Sequence, residues 1–215
     1  MKLNRSFLIA SIVSMMLFIL FTVVVRSDRL NSFDFDTTVR LQNNIPHSLD
    51  TFLSFFSLFG SFEITFIFLV ALAFFLKKRF VIFLIIMFGL AHIFEIIGKS
   101  FLNHPGPPFM FLRYDLEFLF PSSYVQPGSA YPSGHSMRTV MLAILYGYAL
   151  TQKSRSLPWI LAVTGFSVLV TIIMLISRVS LGEHWSTDVI GGTLLGASFA
   201  LFSISIISSY FQKKK

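Results

Sequence analysis

The sequence predicts an all-α polytopic membrane protein, with six transmembrane helices in one bundle and an active site at the outer membrane face. Three observations carry this. The chain of 215 residues is 54% hydrophobic and only 13% charged, with 27 Phe, where a soluble domain holds about twice that charged share. Its apolar residues fall in runs of about the 17–25 residues that cross a bilayer. Those runs are apolar all round, whereas a soluble bundle needs polar helix faces. One membrane-embedded domain over 1–215 is expected.

The spans follow in order. The first covers about 6–25. Its end, "VVVRSDRLNSF", has no small-residue cleavage site, so a retained anchor is expected rather than a signal peptide. The second covers about 61–76, or starts earlier. The first outer loop, about 26–60, contains "LDTFLSFFSLF", whose Leu49, Phe52, Leu53, Phe56 and Phe59 keep helical spacing. That stretch either lies along the interface or extends the second span. The third, fourth, fifth and sixth spans cover about 80–101, 136–150, 157–176 and 185–211. A second outer loop lies at about 102–135.

Charge orients the set. Lys2, Arg5, Lys77, Lys78, Arg79, Lys153, Arg155 and Lys213 to Lys215 all flank spans on one side. The positive-inside rule makes that side cytoplasmic. Both termini are then cytoplasmic, in the cell membrane, and "KKK" at the end is read as a topology anchor near anionic lipid. Because the net charge of +7 gathers at span ends, membrane lipid is the expected partner and nucleic acid is not. The chain has no cysteine, which removes disulfide and thiolate chemistry.

Polar residues that do not belong in a membrane fall at four helix ends, all on the outer side. They are Lys99, then "PSGH" (Pro132 to His135), then Ser177 and Arg178, then "GEHWSTD" (Gly182 to Asp188). Ionisable groups at that depth are costly unless they pair or line a wet cavity, so the four are read as one shared site. Lys99 and Arg178 supply fixed positive charge. Ser133 is expected to cap the fourth span, whose N-terminus is a ready anion site, and Gly134 lets backbone approach closely. His184 and Asp188 stand four apart. On one helix face, the carboxylate would hold one ring nitrogen and leave the other unprotonated. His135 would then protonate a leaving oxygen. Two histidines, a carboxylate and an anion cradle describe phosphoryl transfer through a covalent intermediate. A metal site built from His135, His184 and Asp188 is the rival reading.

These residues resemble the type-2 phosphatidic acid phosphatase superfamily. Its motifs are lysine, six residues, arginine–proline; then PSGH; then serine–arginine, five residues, histidine, three residues, aspartate. The second stands intact at Pro132 to His135. The third stands intact as Ser177-Arg178, "VSLGE", His184, "WST", Asp188. The first departs from the pattern, reading Lys99, "SFLNHP", Gly106, Pro107, with Gly106 in the arginine's place and His104 two positions earlier. Arg138, one turn after His135, is the first candidate substitute, and Arg113 the second.

The resemblance implies a metal-independent hydrolase of lipid phosphates with no cofactor. It makes His184 the nucleophile that becomes phosphohistidine, Asp188 its orienting group and His135 the general acid. It assigns the phosphate to Lys99, Ser133, Gly134 and Arg178. Phosphatidylglycerophosphate is the first-ranked substrate, with undecaprenyl pyrophosphate and phosphatidate as alternatives. A non-enzymatic lipid-phosphate transporter or binder is the further alternative, although transporters commonly place such charges near the midplane. Glu95, four residues before Lys99, is read as its ion-pair partner. His92 is read as packed or hydrogen-bonded, and His47 and His104 receive no role. Gly192 and Gly196 form a small-x-x-x-small face, expected to pack inside a monomer, with a dimer as the alternative.

Overall fold

A computed structural model describes residues 3–118, 120–121 and 128–212, all helix, turn and loop without strand. Lys2 and Lys213 to Lys215, assigned above to the inner side, lie outside the described residues. The elements are α1 (Arg5–Arg26), α2 (Asn31–Asn44), α3 (Asp50–Ser57), α4 (Phe62–Ala71), α5 (Lys78–Phe101), α6 (Gly134–Thr151), α7 (Leu157–Ser180) and α8 (Ser186–Gln212).

Four helices, α1, α5, α7 and α8, are long and apolar enough to cross a membrane. A fifth span exists if the pair around α3 and α4 counts as one, bent by 55°. The reason length and hydropathy stop short of six is α6. It has 18 residues, and its first turns carry His135, Ser136, Arg138 and Thr139. The helix that bears the site gives up apolar residues to do so. The outward faces of the long helices are apolar: Ile9, Ile12, Met16, Leu20 and Val23 on α1, and Leu161, Phe166 and Leu169 on α7, are all exposed. A water-facing bundle would show the opposite pattern.

α8 runs through the middle of the bundle. It lies antiparallel to α1, because Asn4 N–H donates to Ser205 O at 2.9 Å and Ser14 Oγ donates to Leu194 O at 2.8 Å. Ser11 Oγ donates to Ser198 O at 2.9 Å, and Ser198 Oγ returns a bond to Ser11 O at 3.2 Å. Such bonds hold helices together where burying apolar surface gains nothing over lipid. On its other face α8 meets α6. A Cβ at Gly192 would collide with Ser133 O, and one at Gly196 with Met137 O. The glycine face is therefore used within the chain.

The basic turns gather at one end. Lys153 lies over the Phe75 ring at 4.3 Å, and Phe7 packs edge-on against Tyr148. This end holds the turns on either side of Arg5, Lys77 to Arg79, and Lys153 to Arg155.

The region read as the first outer loop contains two helices. α2 is one. α3 is the other, covering most of the "LDTFLSFFSLF" stretch. It neither continues α4 nor stands apart from it. A tight turn over Leu58–Gly60 separates the two, and Ser61 caps α4 by accepting Ile64 N–H at 3.5 Å. The break has a structural cause: a Cβ at Gly60 would lie 2.8 Å from His135 Cδ2 and 3.0 Å from Met174 Cε. Glycine there lets the chain pass against α6 and α7 at the level of the site.

Candidate active site

The four polar helix ends meet. α5 delivers Glu95 and Lys99 near its C-terminus, and α6 delivers Gly134, His135 and Arg138 in its first two turns. α7 delivers Arg178 in its last turn, and the turn into α8 delivers Glu183, His184 and Asp188. Local sequence explains the last group. Gly182 adopts φ +70 after α7, the left-handed conformation that closes helix C-termini. Glu183 N–H and His184 N–H then both donate to Arg178 O, at 3.2 and 3.1 Å. The chain folds back so that His184 sits over the end of α7.

His184 precedes α8, so it and Asp188 meet through this turn rather than along one helix face. His184 Nδ1 lies 3.3 Å from Asp188 Oδ2, which also accepts Trp185 N–H at 2.9 Å. Asp188 is fully buried. An ionised carboxylate only accepts, so Nδ1 carries the proton and Nε2 keeps its lone pair. Burial, and then the cations of Arg178, Lys99 and Arg138, hold the His184 imidazole well below its ordinary range. His135 lies close enough to interact with it electrostatically. Arg138 Nη2 is 3.4 Å from His135 Nδ1. Arginine only donates, so Nδ1 accepts and the His135 proton sits on Nε2.

Each cation also has a carboxylate partner. Lys99 Nζ is 2.9 Å from Glu95 Oε1, and Arg138 Nη1 is 3.6 Å from Glu95 Oε2. The pairing expected for Glu95 and Lys99 is present, and Arg138 shares it. Arg178 Nη1 lies 2.5 Å from Glu183 Oε2 and donates to Ser57 Oγ at 3.0 Å. Buried charges must be paired or they destabilise the fold, and these carboxylates meet that need. The Nε–H of Arg178 remains buried with no hydrogen-bond partner among the described residues.

Several sequence expectations change. Ser133 stands at the N-cap of α6 but its hydroxyl makes no capping bond. It accepts instead from Ser136 Oγ at 3.2 Å, while its own N–H donates to Asp188 O at 2.9 Å. The residue ties α6 to α8. Gly134 does make room for close approach, and what approaches is Glu95, whose carboxylate lies where a Cβ would be. Arg113 is committed elsewhere. It pairs with Asp50 at 2.7 Å and donates to Gln42 O and Ile45 O, locking the loop between α5 and α6 onto α2 and α3. Arg138 is at the site: Nε donates to Gly60 O at 2.8 Å, and Nη1 is 3.3 Å from His92 Nε2. His92 Nδ1 bonds to Phe88 O at 2.8 Å.

Sequence reasoning gave no role to Asp34 or Thr187, and it noted His104 only as the basic residue two positions before Gly106 in the first motif. Asp34, on α2, accepts Thr187 N–H at 2.8 Å and Thr187 Oγ1–H at 2.7 Å. His104 Nε2 lies 3.4 Å from Asp188 Oδ1. No motif spacing joins these residues, because they come from three separate elements. Among the described residues, no group of three His, Asp or Glu is placed to hold a metal ion.

Fold and site together define an all-helical integral membrane protein with a cation-lined polar site at one end of its bundle. The chain belongs to the PAP2 superfamily, whose sequence profile matches residues 80–211. Two solved structures share its fold. One is the transmembrane PAP2-type phosphatidylglycerolphosphate phosphatase from Bacillus subtilis, at 20% identity and TM-score 0.69, over 96% of this chain and 98% of that one. The other is LpxE from Aquifex aeolicus, at 24% identity and TM-score 0.61, over 80% of this chain and 94% of that one. No curated protein shows significant sequence similarity.

Proposed function

We propose that this chain, as one membrane-embedded domain, hydrolyses the phosphate of a lipid head group at the outer face of the cell membrane. The reaction runs through a phosphohistidine on His184. The observation that carries the reading is the His184–Asp188 pair, at 3.3 Å, set among Lys99, Arg138, Arg178 and His135.

The chemistry follows from the proton positions. His184 Nε2 attacks phosphorus, and a P–N bond forms as the P–O bond to the lipid breaks. Asp188 orients the ring and stabilises the charge that develops on it. When Arg138 turns to the phosphate, His135 Nδ1 is free to take up a second proton, and the imidazolium then gives its Nε2–H to the departing oxygen and is left neutral, with its lone pair on Nε2. Water then attacks the phosphohistidine with His135 as base, the P–N bond breaks, and inorganic phosphate leaves. Lys99, Arg178 and Arg138 bind the equatorial oxygens, where charge spreads during transfer, and Ser133 and Gly134 shape the cradle. The Nε–H of Arg178, without a partner among the described residues, is a donor suited to such an oxygen. In the resting arrangement Glu95 and Glu183 hold these cations, and a bound phosphate shares them. The steps need no metal or cofactor.

A lipid substrate is favoured by a cavity of about 610 Å³. Phe59, Phe68, Leu142, Phe166 and Met174 line it between α4, α6 and α7. Its Met174 end adjoins Gly60, which touches His135. An acyl or isoprenoid chain fits such a surface. Phosphatidylglycerophosphate ranks first, supported by the activity named for the Bacillus subtilis structure. Undecaprenyl pyrophosphate and phosphatidate are the alternatives. The basic end of the bundle supports a cytoplasmic location for both termini. A monomer is favoured over a dimer because α6 already occupies the Gly192–Gly196 face.

The test is phosphate release from phosphatidylglycerophosphate by the purified protein in detergent with a chelator present. Sustained release is expected. A lipid-phosphate transporter or binder releases none, and a metal enzyme stops.

A further inference from the structure

Asp188 has two carboxylate oxygens, and the proposed mechanism uses one. Oδ2 serves Trp185 N–H and His184. Oδ1 is buried and has no well-aligned donor among the described residues. The His104 ring faces it, with Nε2 3.4 Å away. His104 is itself buried, 7% exposed. Its backbone oxygen accepts Ala130 N–H at 2.9 Å, and its ring stands edge-on to Tyr131. The ring is therefore fixed from behind. In front, Nε2 lies 3.3 Å from Thr187 Oγ1 and 4.0 Å from Asp34 Oδ2.

The proton on Nε2 can be assigned by elimination. Thr187 has one hydroxyl proton, and Oγ1 donates it to Asp34 Oδ2 at 2.7 Å. Burial pushes the Asp34 carboxyl up, and the side-chain and backbone donors of Thr187, with the His104 ring, oppose that. With its proton committed, Thr187 Oγ1 can only accept from His104. With Asp188 ionised, as its role toward His184 in the proposed mechanism requires, Oδ1 can only accept as well. Two acceptors face Nε2, so Nε2 carries a proton, which bonds to Thr187 Oγ1 with Asp188 Oδ1 close beside it at 3.4 Å.

We infer that His104 is a positioning residue for Asp188: its Nε2–H holds the second carboxylate oxygen, and Asp34, acting through Thr187, fixes the direction of that proton. The inference rests on the reading of His184 as nucleophile. A carboxylate held at one oxygen can turn about its Cβ–Cγ bond. Held at both, its plane is fixed and the His184 ring meets it without rearrangement, the kind of preorganisation that lowers barriers. The effect belongs to turnover rather than to binding, since His104 touches Asp188 and not the cations assigned to the phosphate.

The experiment uses the full chain in detergent with phosphatidylglycerophosphate, comparing wild type, His104→Leu, His104→Gln, Asp34→Asn and His184→Ala. Outer partners of metal-ligating groups typically contribute roughly 10- to 100-fold; on the same scale for a carboxylate that orients a nucleophilic histidine, His104→Leu is expected to lower kcat by that factor with little change in KM. His104→Gln returns an amide N–H close to the place of Nε2 and should restore most of the rate. A wild-type kcat in His104→Leu overturns the proposal. So does a folded His104→Gln as slow as the leucine variant, because only a donor, not bulk, is argued for. Should His104→Leu fail to fold, Asp34→Asn carries the test. Its amide donates to Thr187 and releases the hydroxyl proton toward His104, so kcat should fall, and an unchanged rate overturns the proposal. A wild-type protein that releases no phosphate, or a His184→Ala variant that does, refutes the proposed function instead.

Discussion

Arg138→Ala tests how this chain manages without an arginine at position 106. The Arg138 guanidinium touches four groups at the site: Gly60 O at 2.8 Å, His92 Nε2 at 3.3 Å, His135 Nδ1 at 3.4 Å and Glu95 at 3.6 Å. Its loss leaves Glu95 paired with Lys99 at 2.9 Å, so no carboxylate is stranded. What the substrate loses is one cationic donor. A charge-assisted hydrogen bond is worth about 1.5–3 kcal/mol net, which converts to roughly 10- to 150-fold at 1.36 kcal/mol per decade. Vanadate mimics the transferring phosphate, so its inhibition constant should rise by that factor, with turnover falling alongside. Gly106→Arg should then return part of both. The position tolerates a side chain, because a Cβ there meets Ala130 Cβ at 3.5 Å and Glu183 O at 3.9 Å, both ordinary contacts. It also lies beside the turn that carries His184. The two substitutions act on one ligand and should be non-additive. The assay is a double-mutant cycle on vanadate inhibition in detergent. Additive effects, or unchanged inhibition in Arg138→Ala, would refute the assignment of Arg138 to the phosphate.

Three further outcomes are expected. Asp188→Asn should keep the fold but slow phosphoenzyme formation by orders of magnitude, as loss of the orienting anion does in serine triads; a rapid-quench rate near wild type would contradict this. The pH profile of kcat/KM should hold its plateau as pH falls through the ordinary imidazole range near 6.5. Burial and three cations lower the His184 value, so the neutral nucleophile persists and is lost only at more acid pH. An acid limb at or above the ordinary value would count against that environment. A cysteine placed within 103–118 should label with an impermeant reagent in intact cells while one at Lys78 should not, and reversed labelling would overturn the orientation.

Much of this was legible in the sequence because the governing signals are local. Span ends fell within a few residues of α1, α5, α6, α7 and α8, since a long apolar run has no other use. The motif residues came together because alternating spans bring the end of α5, the start of α6, the end of α7 and the start of α8 to one side. What escaped was set by tertiary contact. The break between α3 and α4 answers the His135 ring against Gly60, which no hydropathy window registers. Ser133 kept the look of a cap while bonding elsewhere, because its backbone is tied to Asp188 O. Arg113 and Arg138 looked alike as spare cations, and only the fold shows one joined to Asp50 and the other beside His135. His104, Asp34 and Thr187 carry no shared spacing, so their meeting around Asp188 is visible only in three dimensions.

The central claim is that His184 accepts the phosphate. It is tested by rapid acid-free quench of the purified protein with phosphate-labelled phosphatidylglycerophosphate in the presence of chelator. Labelled, acid-labile phosphate should be found on His184 in wild type, and both label and turnover should vanish in His184→Ala. Steady phosphate release by His184→Ala at the wild-type rate would contradict the account.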